Sequence, residues 1–118
     1  MALHHTLEIY KAAQDLAELA VKVTGDFPRN HRMLLGADLM RHCLDLGTQV
    51  YRANCARDKV PHLTALLEQL EIVEQELRLG TRLRFIKTPH YANAIKLTDS
   101  IGKQANGWRK KYASSPAA

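Results

Sequence analysis

Apolar residues recur at spacings of three and four along four stretches of the chain, about residues 6 to 24, 31 to 55, 60 to 87 and 89 to 113, and that period predicts amphipathic helices. In the first stretch Ile9, Ala13, Leu16, Ala17, Ala20 and Val23 share one side, and Glu8, Lys11, Asp15, Glu18 and Lys22 the other. In the second, Met33, Ala37, Met40, Leu44, Gly47 and Tyr51 alternate gaps of four and three, which predicts a coiled-coil-like inner seam. The third carries a core seam of Leu63, Leu66, Leu70, Val73 and Leu77, with a second apolar row, Ile72, Leu79, Leu83 and Ile86, almost opposite. In the fourth, Ala94, Ile101, Ala105 and Trp108 fall on one side.

Three breaks separate these stretches. Gly25 to Asn30 combines a helix-ending glycine with Pro28, which cannot continue the ladder. Asp58 to Pro61 places a proline early in the next helix, and Thr88 is a helix-capping residue with Pro89 at the first helical position. Connections this short make successive helices antiparallel neighbours. The expected fold is therefore all-α, an up-down-up-down four-helix bundle in one domain spanning residues 1–118, with a frayed tail at 114–118. Composition agrees: aromatics make up only 6% of the chain and four prolines interrupt it, so strand signals are nearly absent.

One bundle cannot bury both apolar rows of the third helix. An uncovered row predicts a protein contact, and in a small single domain the commonest partner is a second copy, so Ile72, Leu79, Leu83 and Ile86 are assigned to an oligomer interface. Two other readings stay open here: a central helix, or a row covered by loops.

The net charge of +5 is unevenly spread, with −1 over residues 1–30, +2 over 31–57, 0 over 58–87 and +4 over 88–118. In the last helix Lys96, Lys103 and Lys110 recur every seven residues, each displaced only ~20° around the axis. Arg109 and Lys111 add charge, and Asp99 is the sole acid. Ammonium groups ~10.5 Å apart on a rigid rod can contact several phosphates without reading bases. A solvated face near a helix C-terminus is the alternative. Arg78, Arg82, Arg84 and Lys87 form a second cluster, with Arg84 close to the inner seam, and Arg41 and Arg52 share an outward side of the second helix. The expected nucleic-acid contacts are Lys96, Lys103, Lys110, Arg109, Lys111, Arg41, Arg52, Arg78 and Arg82. Tyr51, Tyr91, Trp108 and Tyr112 read as core packing in preference to base-stacking.

Catalytic and cofactor chemistry find no foothold. The six histidines include no His-Glu-x-x-His or Glu-x-x-His arrangement and read as capping or surface residues, so neither metal nor cofactor is predicted. Glu68, Glu71, Glu74 and Glu76 read as a solvated, salt-bridged face with Arg78 and Arg82 nearby. Cys43 and Cys55 would stand ~18 Å apart on one helix, which excludes a bridge between them. Unpaired thiols and the lack of any apolar run near membrane length predict a cytoplasmic protein with no membrane role. No enzyme activity is assigned.

Phe27-Pro28-Arg29-Asn30-His31, Leu83-Arg84-Phe85 and Gly107-Trp108 followed by basic residues resemble the accessory variability determinant proteins of diversity-generating retroelements. That group is similar in turn to four-helix-bundle proteins encoded in intervening sequences of bacterial 23S ribosomal RNA genes. The resemblance spans residues 5 to 112. It implies a homopentamer of basic four-helix bundles that binds RNA and DNA and associates with a reverse transcriptase during mutagenic retrohoming, the polymerase chemistry belonging to the partner. The competing expectation is an oligomeric interaction scaffold of the intervening-sequence type, without nucleic-acid binding.

Overall fold

The computed structural model describes residues 3–113, so the tail at 114–118 lies outside the described residues. Four long helices make up the fold: α1 (Glu8–Thr24), α2 (Ala37–Cys55), α3 (Val60–Arg82) and α4 (Thr88–Ala113). A 3-10 turn, His4–Thr6, precedes α1, and α2 is entered through a helical turn, Arg29–His31, and a π-helical segment, Arg32–Gly36. No strand occurs among the described residues.

Each helix packs against two neighbours, α1 against α2 and α4, and α3 against α2 and α4, which leaves α1 diagonal to α3 and α2 diagonal to α4. Facing residues show the antiparallel sense. Gly102 faces Leu70 while Arg109, further along α4, reaches back to Thr64; Gly36 faces Thr24 while Gly47 faces Tyr10. The molecule is an up-down-up-down four-helix bundle.

The expected inner sides of α1 and α3 are buried: Ile9, Ala13, Leu16, Ala17, Ala20 and Val23, and Leu63, Leu66, Leu70, Val73 and Leu77. On α4, Ala94, Ile101 and Ala105 are buried with Thr98, and Trp108 packs half-buried against them.

The seam read for α2 is not its inner face. Leu39, Cys43, Leu46, Val50 and Ala53 enter the core, whereas Met33 is 79% exposed and Leu44 56%. Two apolar stripes run along α2 one residue, or about 100°, apart. Only one of them can face α3 and the core, and the stripe with alternating gaps of four and three is the other. Tyr51 and Tyr112, read as core, are exposed: one belongs to the outer stripe of α2 and the other to the last turn of α4.

The third helix is also shorter than its period suggests. It ends at Arg82, where the Gly80 carbonyl accepts the N–H groups of Phe85 (2.9 Å) and Ile86 (3.1 Å). Arg84 adopts a left-handed conformation, φ 64°, which costs a residue with a side chain about 1 kcal/mol. This reversal carries Ile86 back into the core, 3% exposed, so Ile86 leaves the outer row and is not available to an oligomer interface. Ile72, Leu79 and Leu83 remain exposed.

Two connections meet at that end of the bundle. Phe27, fully buried, lies 5.5 Å from the Phe85 ring, whose other neighbour is His31 at 4.9 Å. Arg32 donates to the carbonyls of Gly25 (2.9 Å) and Phe27 (3.3 Å), tying the α1–α2 connection in place. At the opposite end Lys59 donates to the carbonyls of Ala53, Asn54 and Ala56, which satisfies the C-terminus of α2.

A methyl group on Gly80 would stand 2.7 Å from Ile86 Cδ1 and 3.1 Å from its Cγ1, so the buried Ile86 side chain must shift to admit it. Gly80→Ala is expected to cost roughly 1–3 kcal/mol of stability despite its better helix propensity, as measured by chemical denaturation.

Candidate nucleic-acid interface

Lys96, Lys103 and Lys110 all lie exposed on α4, a single unbroken helix of 26 residues. Their side stands opposite the buried stripe of Ala94, Thr98, Ile101 and Ala105, because a residue seven positions from another drifts only ~20°. Lys103 borders a hollow of about 410 Å³ shared with Leu7, Glu8 and Ile9, whereas Lys110 borders one of about 600 Å³ shared with Val60 and Thr64. The row therefore winds from the α1 side of α4 toward the α3 side. Asp99, the acid of this helix, interacts electrostatically with Glu74 and so belongs to the α3 flank.

The remaining basic positions divide among three surfaces. Arg109 is half-buried and its guanidinium donates to Asn106 Oδ1 (3.1 Å) and Thr64 Oγ1 (3.4 Å), so it pins α4 to α3. Lys111 is exposed, its ammonium 6.0 Å from the Tyr112 ring. Arg78 pairs with Glu71 at 3.3 Å and Glu74 at 4.0 Å, while Arg82, a turn further, is exposed and makes no ion pair among the described residues. Arg41 pairs with Asp38, and Arg52 is exposed on the same outer side of α2. Since α2 is diagonal to α4, the arginines of α2 and the lysines of α4 face away from each other across the bundle.

Sequence reasoning missed one polar site. Glu76 is not part of a solvated face, and His42 is not at a helix end: His42 Nδ1 stands 2.6 Å from Glu76 Oε1 across the α2–α3 contact, both largely enclosed, and Gln69 donates to the His42 carbonyl. Burial pushes the Glu76 carboxyl above its ordinary value, with His42 opposing the shift. Burial also raises Glu74, helped by Glu71 and Asp99 and opposed by Arg78. The enclosed Cys43 thiol, close to Glu76, is pushed up to about 12, again by burial first. It is therefore protonated and unreactive at neutral pH. Among the described residues no group of three His, Cys, Asp or Glu could hold a metal ion, and no helix is long and apolar enough to cross a membrane.

A family model described as bAvd-like, for bacterial accessory variability determinant, matches residues 7–112. The chain belongs to this family. Comparison with curated proteins gives no match. Of the three motifs that carried the resemblance in this bAvd-like chain, Gly107-Trp108 lies apart, bordering the hollow shared with Leu7, Glu8 and Ile9, and the other two meet in space: Phe27 and His31 of the α1–α2 connection both contact Phe85 of the α3–α4 connection. They are structural, closing one end of the bundle. That end also carries Arg82, Arg84 and Lys87, all exposed.

The raised carboxyls have a pH consequence. A group that binds its proton more tightly folded than unfolded contributes stability below its unfolded value, near 4.5, and loses it as pH rises through the folded value. Glu74 and Glu76 thus contribute less stability at neutral pH than below about pH 4.5. Glu74→Gln is expected to narrow that difference in Tm, followed by circular dichroism melts across the range.

Proposed function

We propose that this chain is a non-catalytic accessory subunit that holds RNA and DNA by their phosphates and associates with a retroelement reverse transcriptase during mutagenic retrohoming. Membership of the accessory variability determinant family supports the setting. The observation that carries the reading is the row of three exposed lysines on one side of α4. Ammonium groups at ~10.5 Å intervals on a rod match a polyanion and carry no base-reading geometry, so binding is sequence-tolerant and salt-sensitive. Arg82, Lys111 and Arg52 extend the same chemistry to other sides, with Arg41, Arg78 and Arg109 holding part of their charge in contacts within the bundle. A strand that engages all of these positions passes around one copy or bridges several.

Self-assembly belongs to the same proposal, as a homopentamer by family resemblance. Ile72, Leu79 and Leu83 supply the apolar contact, and repetition of the basic surfaces in an assembly strengthens their combined field. The same exposed leucines support a second reading, an oligomeric scaffold with no nucleic-acid role.

Binding to single-stranded RNA and duplex DNA at several salt concentrations separates the two. The wild type is expected to bind with a steep salt slope, and replacement of Lys96, Lys103 and Lys110 by Gln to flatten the duplex slope by roughly 2 to 3. An unchanged slope removes the lysine row from the proposal, and no binding by the wild type leaves the scaffold. Leu79→Glu with Leu83→Glu is expected to give folded monomers by light scattering, with helicity retained.

A further inference from the structure

The outer stripe of α2, together with α1, frames an open groove. Two hollows lie along it. One, of about 490 Å³, is formed by Val21, Thr24, Gly36, Ala37, Met40 and Leu44. The other, of about 370 Å³, is formed by Ala13, Ala17, Cys43, Leu44, Gly47 and Tyr51. Leu44 belongs to both and divides them. Their floors are small residues, so each hollow is a hole into which a larger side chain fits. The α2 residues of the two hollows are offset by about six to seven positions, which is roughly 10 Å along the helix.

The same chain carries a helix with the complementary relief. Ile72 and Leu79 project from the outer side of α3, 41% and 47% exposed, seven residues and ~10.5 Å apart, with Leu83 beyond them. A helix presenting bulky aliphatic groups at that interval fits a two-helix groove with holes at that interval. Of the charges at the first hollow, Arg41 is paired with Asp38 and Arg32 holds the carbonyls of Gly25 and Phe27, and the charges left unengaged are complementary. Arg82 flanks Leu79 and Leu83, whereas Asp45 borders the first hollow and Glu18 lies one turn from Val21 on the α1 rim. None of these three makes an ion pair among the described residues. Because α3 is diagonal to α1, the outer row and the groove of one copy open to different sides and cannot meet within it.

We infer that the α1–α2 groove is the acceptor for the α3 outer row of a second copy, in a head-to-tail contact that joins two different surfaces. This rests on the self-assembly proposed above and supplies the surface that the leucines of α3 would meet. In a contact of this kind each copy keeps one free α3 row and one free groove, so assembly continues until it closes.

Two full-length variants test it, each altering only exposed side chains. The row variant is Leu79→Glu with Leu83→Glu, and the groove variant Val21→Glu with Leu44→Glu. Light scattering at matched concentration is expected to show an oligomeric wild type and two monomeric variants with unchanged helicity. Mixed in equal amounts, the variants are expected to give a species of twice the monomer mass, because one intact row meets one intact groove and no further copy can add. An oligomeric wild type with a groove variant of the same size, or a mixture that stays monomeric, overturns the head-to-tail contact and leaves self-assembly standing. A monomeric wild type overturns both.

Discussion

The carbonyl of Gly80 receives two amide hydrogens, and the rest of the molecule is arranged around that reversal. It stops α3 a full turn before the apolar pattern ends and turns Ile86 inward over a residue with no side chain. It also sets the position from which α4 departs. The phase of α4 then follows from the packing of Ala94, Ile101 and Ala105, and with it the direction in which the three lysines point. Phe27 closes the same end from the other connection, so the α1–α2 and α3–α4 connections share one hydrophobic plug.

Most of the fold was legible because helix period and punctuation are local properties. Gly25, Pro28, Pro61 and Pro89 mark the connections, and the inner sides of α1 and α3 are single apolar stripes that admit one reading. Two features escaped for physical reasons. On α2 the stripes through Leu39 and through Met40 are both apolar, and which of them faces inward depends on where α3 lies, which no local pattern encodes. At the end of α3 the period continues through Ile86, but the chain turns because a left-handed residue at Arg84 and a bare Gly80 allow it; arginine at such a position carries no turn signal. The Gly80 and Ile86 spacing offered a clue only in retrospect.

The candidate interface was legible in a similar degree. Seven-residue recurrence on a helix is enough to align Lys96, Lys103 and Lys110, and they do align. Partnerships were not readable: Arg109 reaching Thr64, Arg41 held by Asp38, and His42 paired with Glu76 are contacts set by packing. Their effect is to leave the three lysines of α4 exposed while Arg109, Arg41 and Arg78 are partly engaged by neighbouring side chains. The lysine row is thus one face of a basic surface that Arg52 and Arg82 continue on other sides.

The π-helical segment at Arg32–Gly36 holds more residues per turn than the helix it leads into. Of its five residues only Gly36 is buried, while Leu35 packs against the core and Arg32 ties the segment to the α1–α2 connection. The wide turn thus rephases the chain between that connection and α2, so that Leu39, Cys43, Leu46 and Val50 arrive on the inward side.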